Sequence, residues 1–143
     1  MVLGPTNVTE LSNSIAQSTK NVSLSNDKLG PFVAYLIGSR PILVSYLSAE
    51  GVPGIERPAL DMMILTTDSL YSIQAYYSGR VSWSKSLMRD CSTVGLDMIG
   101  NIVVGSVVMK TGVTFRIADT SSREGELNGF LLQIASVSEQ HST

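Results

Sequence analysis

The chain predicts an α+β fold, mainly β, laid out as a small barrel with a C-terminal helix over its mouth. Three observations predict it. Short β-rich runs follow one another from Asp61 to Ala118, separated by turn residues. One amphipathic helical stripe begins near Ser122. Residues 1–39 carry helical spacing or none, so helices precede the strands.

Residues 1–28 are rich in Ser, Thr and Asn and form a polar arm or a short helix. Leu11 and Ile15 lie four apart, which allows a helix from Thr9 to Lys20 capped by Thr9 or Asn7. One apolar pair cannot hold such a helix alone, so the arm is either docked or a mobile tail. Leu29, Phe32, Val33, Leu36 and Ile37 share a second helical face, with Pro31 in its first turn and Gly38 as its stop. Pro41 restarts the chain as a strand, Ile42 to Leu47, and Ala49 to Leu60 is a long loop holding Gly51, Pro53, Gly54 and Pro58.

The clearest strands follow. They are Met62 to Thr67, Leu70 to Tyr77, Val81 to Ser84, Met88 to Val94, Ile99 to Lys110 and Val113 to Ala118. Thr67-Asp68-Ser69, Ser78-Gly79-Arg80 and Thr111-Gly112 supply tight turns. Val113, Phe115 and Ile117 alternate with Thr114, Arg116 and Ala118, giving one buried and one more open face. Ser121 and Glu124 match a capping box, and Leu127, Phe130, Leu131, Ile134 and Val137 repeat at helical spacing behind it.

Two strands are apolar on both faces. Ile102, Val104 and Val108 alternate with Val103, Val107 and Met109, while Tyr71, Ile73, Ala75 and Tyr77 share a strand with Leu70 and Tyr76. Such strands need two covers. Either the N-terminal helix supplies the second, or Val103, Val107, Met109, Tyr71 and Tyr77 form an interface with a subunit or partner.

Composition narrows the function. The chain has 143 residues, enough for one domain with a self-sufficient core. Charged residues are 15% of it, against an ordinary share of about a quarter; so thinly charged a surface suits a covered one. A net charge of −2 argues against a nucleic-acid binder, which carries a basic excess. The single cysteine, Cys91, excludes an internal disulfide, suits a reducing compartment and reads as a small core residue. Residues 1–28 lack the pattern of a signal peptide, and Phe32 to Ile37 and Ile42 to Leu47 are too short to span a bilayer. A cytoplasmic protein, free or membrane-peripheral, is therefore expected, and the triplets Asn7-Val8-Thr9 and Asn21-Val22-Ser23 are discounted as glycosylation sites.

Catalysis and metal binding have no constellation to rest on. His141 lies in a polar terminus, and one His and one Cys fifty residues apart give no ligand spacing. The acids Glu50, Glu56, Asp61, Asp68, Asp90 and Asp97 are scattered, several at turns. Gly95, Gly100 and Gly105 recur with no helix after them to present amides to a phosphate, so they read as bulges or bends. No catalytic residue, cofactor or metal is expected.

The run Ile64-Leu65-Thr66-Thr67-Asp68-Ser69-Leu70-Tyr71 is similar to a hairpin of the pleckstrin-homology-like superfamily, in its bacterial and GRAM-type branches. Trp83-Ser84 to Val94 resembles the next strand pair, and Ile102 to Ala118 the last hairpin before the helix. The likeness covers about residues 40–137 and is one of hydrophobic spacing; Asp68-Ser69 stands where the family more often has Asp-x-Arg. It implies a seven-stranded, strongly bent antiparallel sheet sealed by the C-terminal helix, in a family that binds phosphoinositides, peptides or proteins. The basic pattern of phosphoinositide binders is absent, since the first hairpin offers only Arg40 and Arg57.

In such a fold Arg57, Arg80 and Lys110 would lie on loops at one end. There they would either hold an anionic head group or be solvated turn charges, with Lys85 and Arg89 joining them or not according to strand register. The expected function is a non-enzymatic protein-interaction or assembly module, self-associating or bound to a protein partner. The alternatives are an anionic-lipid-binding peripheral module and, more distantly, a structural component of a virus or large particle.

Overall fold

The computed structural model of the protein describes residues 7–19 and 26–141. The chain is α+β and mainly β. Two helices, α1 (Val8–Thr19) and α2 (Asn26–Ile37), precede β1 (Ile42–Ser48), β2 (Leu60–Thr66), β3 (Ser69–Ala75) and β4 (Val81–Leu87). A 3-10 turn, Met88–Asp90, leads to β5 (Cys91–Ile99), β6 (Ile102–Met109) and β7 (Thr114–Thr120). A second 3-10 turn, Ser121–Arg123, opens α3 (Glu124–Gln140).

The strands do not close into a barrel. They form two antiparallel sheets, ordered β1-β2-β3-β4 and β5-β6-β7. The bridge between them is α3, which packs on β1 and on all three strands of the second sheet. Its stripe of Leu127, Phe130, Leu131, Ile134 and Val137 is buried with Val44 and Tyr46 of β1, Met63 and Leu65 of β2, Val103 and Val107 of β6, and Phe115 and Ile117 of β7. Gly105 makes this approach possible, because a Cβ there would stand 3.2 Å from Leu131 Cδ1 and 3.3 Å from Leu127 Cδ1. The glycine therefore leaves room for the two leucine side chains of the helix.

The first sheet has a second cover. Leu60, Met62 and Ile64 of β2 and Tyr71, Ile73 and Ala75 of β3 pack with Leu11 and Ile15 of α1 and Leu29, Val33 and Ile37 of α2. The N-terminal arm is thus docked through Leu11 and Ile15. Asn7 is its cap, accepting from the Glu10 amide at 2.8 Å. Lys20 and the Asn21-Val22-Ser23 triplet lie outside the described residues.

Several expectations change. Pro31 lies inside α2 and not in its first turn, since the helix already starts at Asn26; the buried face of Leu29, Val33 and Ile37 outweighs the lost backbone bond. Ile99 to Lys110 is no single strand, because Gly100, at φ 62°, turns the chain between β5 and β6. The capping box is not made: no side chain caps α3, and Ser121 belongs to the 3-10 turn. Instead Arg123 bonds Glu126 and Asp119 at 2.8 and 3.0 Å, and the Asp119 carboxylate accepts from the buried Tyr46 hydroxyl at 2.6 Å. Burial, then the bond to Asp119, push the Tyr46 phenol up from its ordinary range. This network ties β1, β7 and the start of α3 together.

The proposed interface is also corrected. Val103, Val107 and Met109 are core residues under α3, and Tyr71 is core under the N-terminal helices. The other face of β6 is covered locally, by Val52 of the β1–β2 loop packing on Val104 and Ala118. Only Tyr77, 56% exposed, stays at the surface. A strand apolar on both faces is here sandwiched by its own chain.

Candidate functional site

The core under α3 does not fill the whole space beside the first sheet. Asp61 pairs with Gln74, and Met63 with Ser72 and through it Ser84, so these polar residues continue the core-facing side of β2, β3 and β4. Where they replace apolar groups, a groove opens of about 470 Å³. Its opposite wall comes from the second sheet. There Asp97 pairs with Val104 and Ser106 with Arg116, all on the face turned away from α3, since Gly105 between them faces the helix. The β1–β2 loop closes one side with Val52, Pro53, Ile55, Glu56 and Pro58.

Each edge of the groove is a strand without a partner among the described residues. In the first sheet this is β4, and in the second β5. The other two outer strands, β1 and β7, meet: Ser48 donates from its hydroxyl to the Ala118 carbonyl, and Tyr46 reaches Asp119. The sheets are therefore held on the β1/β7 side and open on the β4/β5 side. Ile55, Ile99 and Val113 line the groove and are all exposed.

Asp61 is the unusual residue of the site. It is 4% exposed, in a strand buried along its whole length. Its Oδ1 accepts from Gln74 Nε2 at 3.0 Å, and the same nitrogen reaches Ser72 Oγ at 2.8 Å. Burial pushes the carboxyl up from 3.8 to about 7, against the pull of the Gln74 bond and the Met62 amide. Asp61 is not a turn acid, as its kind is usually read; it is a carboxyl at a groove wall that changes charge near neutrality.

The basic residues expected to converge do not. Arg57 folds back on its own loop, donating to the Ala49 carbonyl at 2.9 and 3.2 Å. Arg80 pairs with Glu56 at 2.9 Å and stacks over Tyr76. These two lie on adjacent loops, but Lys110 donates to the Arg89 carbonyl beside the Met88–Asp90 turn. That turn follows the end of β4 next to Ser69, whereas Arg80 precedes its other end, next to Ala75. Register sends Lys85 to Tyr71, on the side of the first sheet that carries the N-terminal helices. The groove's own lining has three acids, Glu56, Asp61 and Asp97, and one base, Arg116. The basic loops point to an anion site, whereas the groove lining carries more carboxyls than bases.

Among the described residues no three His, Cys, Asp or Glu side chains stand close enough to hold a metal ion, so the three acids are spread along the groove. Among the same residues no helix is long and apolar enough to cross a membrane. No protein-family model matches the chain, and no curated protein matches it.

Proposed function

We propose that the protein is a non-enzymatic interaction module of pleckstrin-homology-like architecture that docks an extended segment of a partner chain in the groove between its sheets. The four-plus-three arrangement of antiparallel strands followed by a helix supports the family reading, with the two sheets left unpaired along β4 and β5. The observation that carries the docking reading is the groove itself, flanked by two unpaired strand edges and rimmed by exposed Ile55, Ile99 and Val113. Unpaired edges offer backbone donors and acceptors to an added segment, and apolar rim residues supply burial when it arrives. Anionic lipid is the weaker candidate, because Arg57 and Arg80 are engaged within the chain and Lys110 is apart from them.

The test is a selection of random displayed peptides on the immobilised protein, followed by titration of the winners. Ser84 is exposed on β4 and lines the groove, so Ser84→Trp fills the space without touching the core. Selected peptides are expected to bind this variant at least tenfold more weakly than the parent. Failure to select any peptide, or equal binding to the variant, would overturn the reading. So would stronger, salt-sensitive binding to phosphatidylserine vesicles that Ser84→Trp leaves intact.

A further inference from the structure

Resting on the docking reading, we infer that the groove selects a basic residue, seating the cation of a lysine or arginine side chain of the docked segment beside Asp61. The charge of the walls points to this chemistry. Glu56, Asp61 and Asp97 contribute three carboxyls to the lining against the one guanidinium of Arg116. Arg80 compensates Glu56 from outside the lining, at 2.9 Å. Arg116 stands on β7, in the other sheet from Asp61, which directs an incoming cation toward the β2–β3 wall.

That wall is built to receive a group with several donors. Ammonium and guanidinium groups bring three or more N–H bonds and no acceptor. Besides Asp61 the groove lining offers the hydroxyls of Ser72, Ser84, Ser106 and Thr114. Gln74 is already turned so that its amide nitrogen serves Asp61 and Ser72. An ionised carboxylate this buried is costly without a positive neighbour, and among the described residues no basic side chain bridges to it. A ligand cation would supply that neighbour. The apolar stretches of Val52, Ile55, Val104 and Phe115 would hold the methylene stem.

Such seating ties binding to the proton on Asp61. The other charged groups of the groove lining are Glu56, paired with Arg80, on the β1–β2 loop, Asp97 on β5 and Arg116 on β7; Gln74 and Ser72 on β3 are neutral. With the Asp61 carboxyl at about 7, the cation must displace a proton below that pH. Affinity should therefore fall about tenfold from pH 8 to pH 6.

The selected peptides decide the matter. Most should carry Lys or Arg at one fixed position, and replacing it by norleucine or citrulline should weaken binding at least tenfold at pH 8. Asp61→Asn should erase that difference, and with it the pH dependence. Winners without a basic residue, or a basic preference that survives Asp61→Asn, would overturn the charge inference and leave the docking reading standing. A selection that returns nothing overturns the docking reading first.

Discussion

Asp61→Asn is expected to make the protein more stable at pH 8 and to change it little at pH 4. The sign follows from the raised carboxyl. In the unfolded chain Asp61 loses its proton near 3.8, and in the folded chain near 7. Between those values the folded state holds more protons, so stability falls as pH rises through the window and levels off above 7. The full difference amounts to about 4 kcal/mol. The amide variant removes the charge and keeps an oxygen for Gln74 to donate to, so it escapes this loss. Urea unfolding at half-unit steps from pH 4 to pH 8 should show the two proteins diverging with pH. Parallel curves would mean that Asp61 is neither buried nor shifted as described. A group that weakens the fold at working pH and stands at a groove wall is a mark of function over stability.

Phe130→Ala should be the most damaging single change in the helix. Its ring is fully buried and lies 5.6 Å from that of Tyr46, tilted at 45°. It joins α3 to β1 at the centre of the larger core. Truncating a buried phenylalanine costs about 3–5 kcal/mol. The loss should spread to the Tyr46–Asp119–Arg123 network, because the same helix positions Arg123 over the Tyr46 ring. Chemical denaturation should show the full cost in one cooperative transition. A loss below about 1 kcal/mol, or a helix that melts separately from the strands, would show that α3 does not hold the two sheets together.

Elements with a single period were legible in the sequence. Phe115 and Ile117 are buried as their alternation dictates, but Val113, just before β7, is 48% exposed and Ala118, on the face expected to be more open, is buried. The helical stripe from Leu127 to Val137 is buried throughout. Leu29, Val33 and Ile37 likewise read as one helical face and pack as one. Cys91 is a buried core residue. What spacing could not give is the identity of the cover. Val103 and Val107 are apolar whether a partner or the chain's own helix packs on them. Gly105 between them was the usable signal, since a missing side chain on an apolar face marks a close approach.

The groove was illegible for a different reason. Asp61, Gln74, Ser84, Asp97 and Arg116 come from five strands in two sheets, and no local pattern joins them. Asp61 alone offers a signal, as a carboxylate flanked by Leu60 and Met62 at the boundary between the expected loop and the expected strand. The basic loops were placed correctly in sequence, but loops at opposite ends of a sheet cannot share a ligand. The closed barrel failed because strand propensity does not say whether outer strands pair with each other or leave an edge open. Here β1 and β7 meet through Tyr46, Ser48 and Asp119, and β4 and β5 stay apart.

Hydrogen exchange of the protein with and without a selected peptide tests most directly whether the open side between the sheets is the working surface. Protection should appear in β4 and β5 and in the loop from Ala49 to Ala59, with α1, α2 and the outer face of α3 unchanged. Protection confined to the N-terminal helices or to α3, with β4 and β5 exchanging as before, would contradict it.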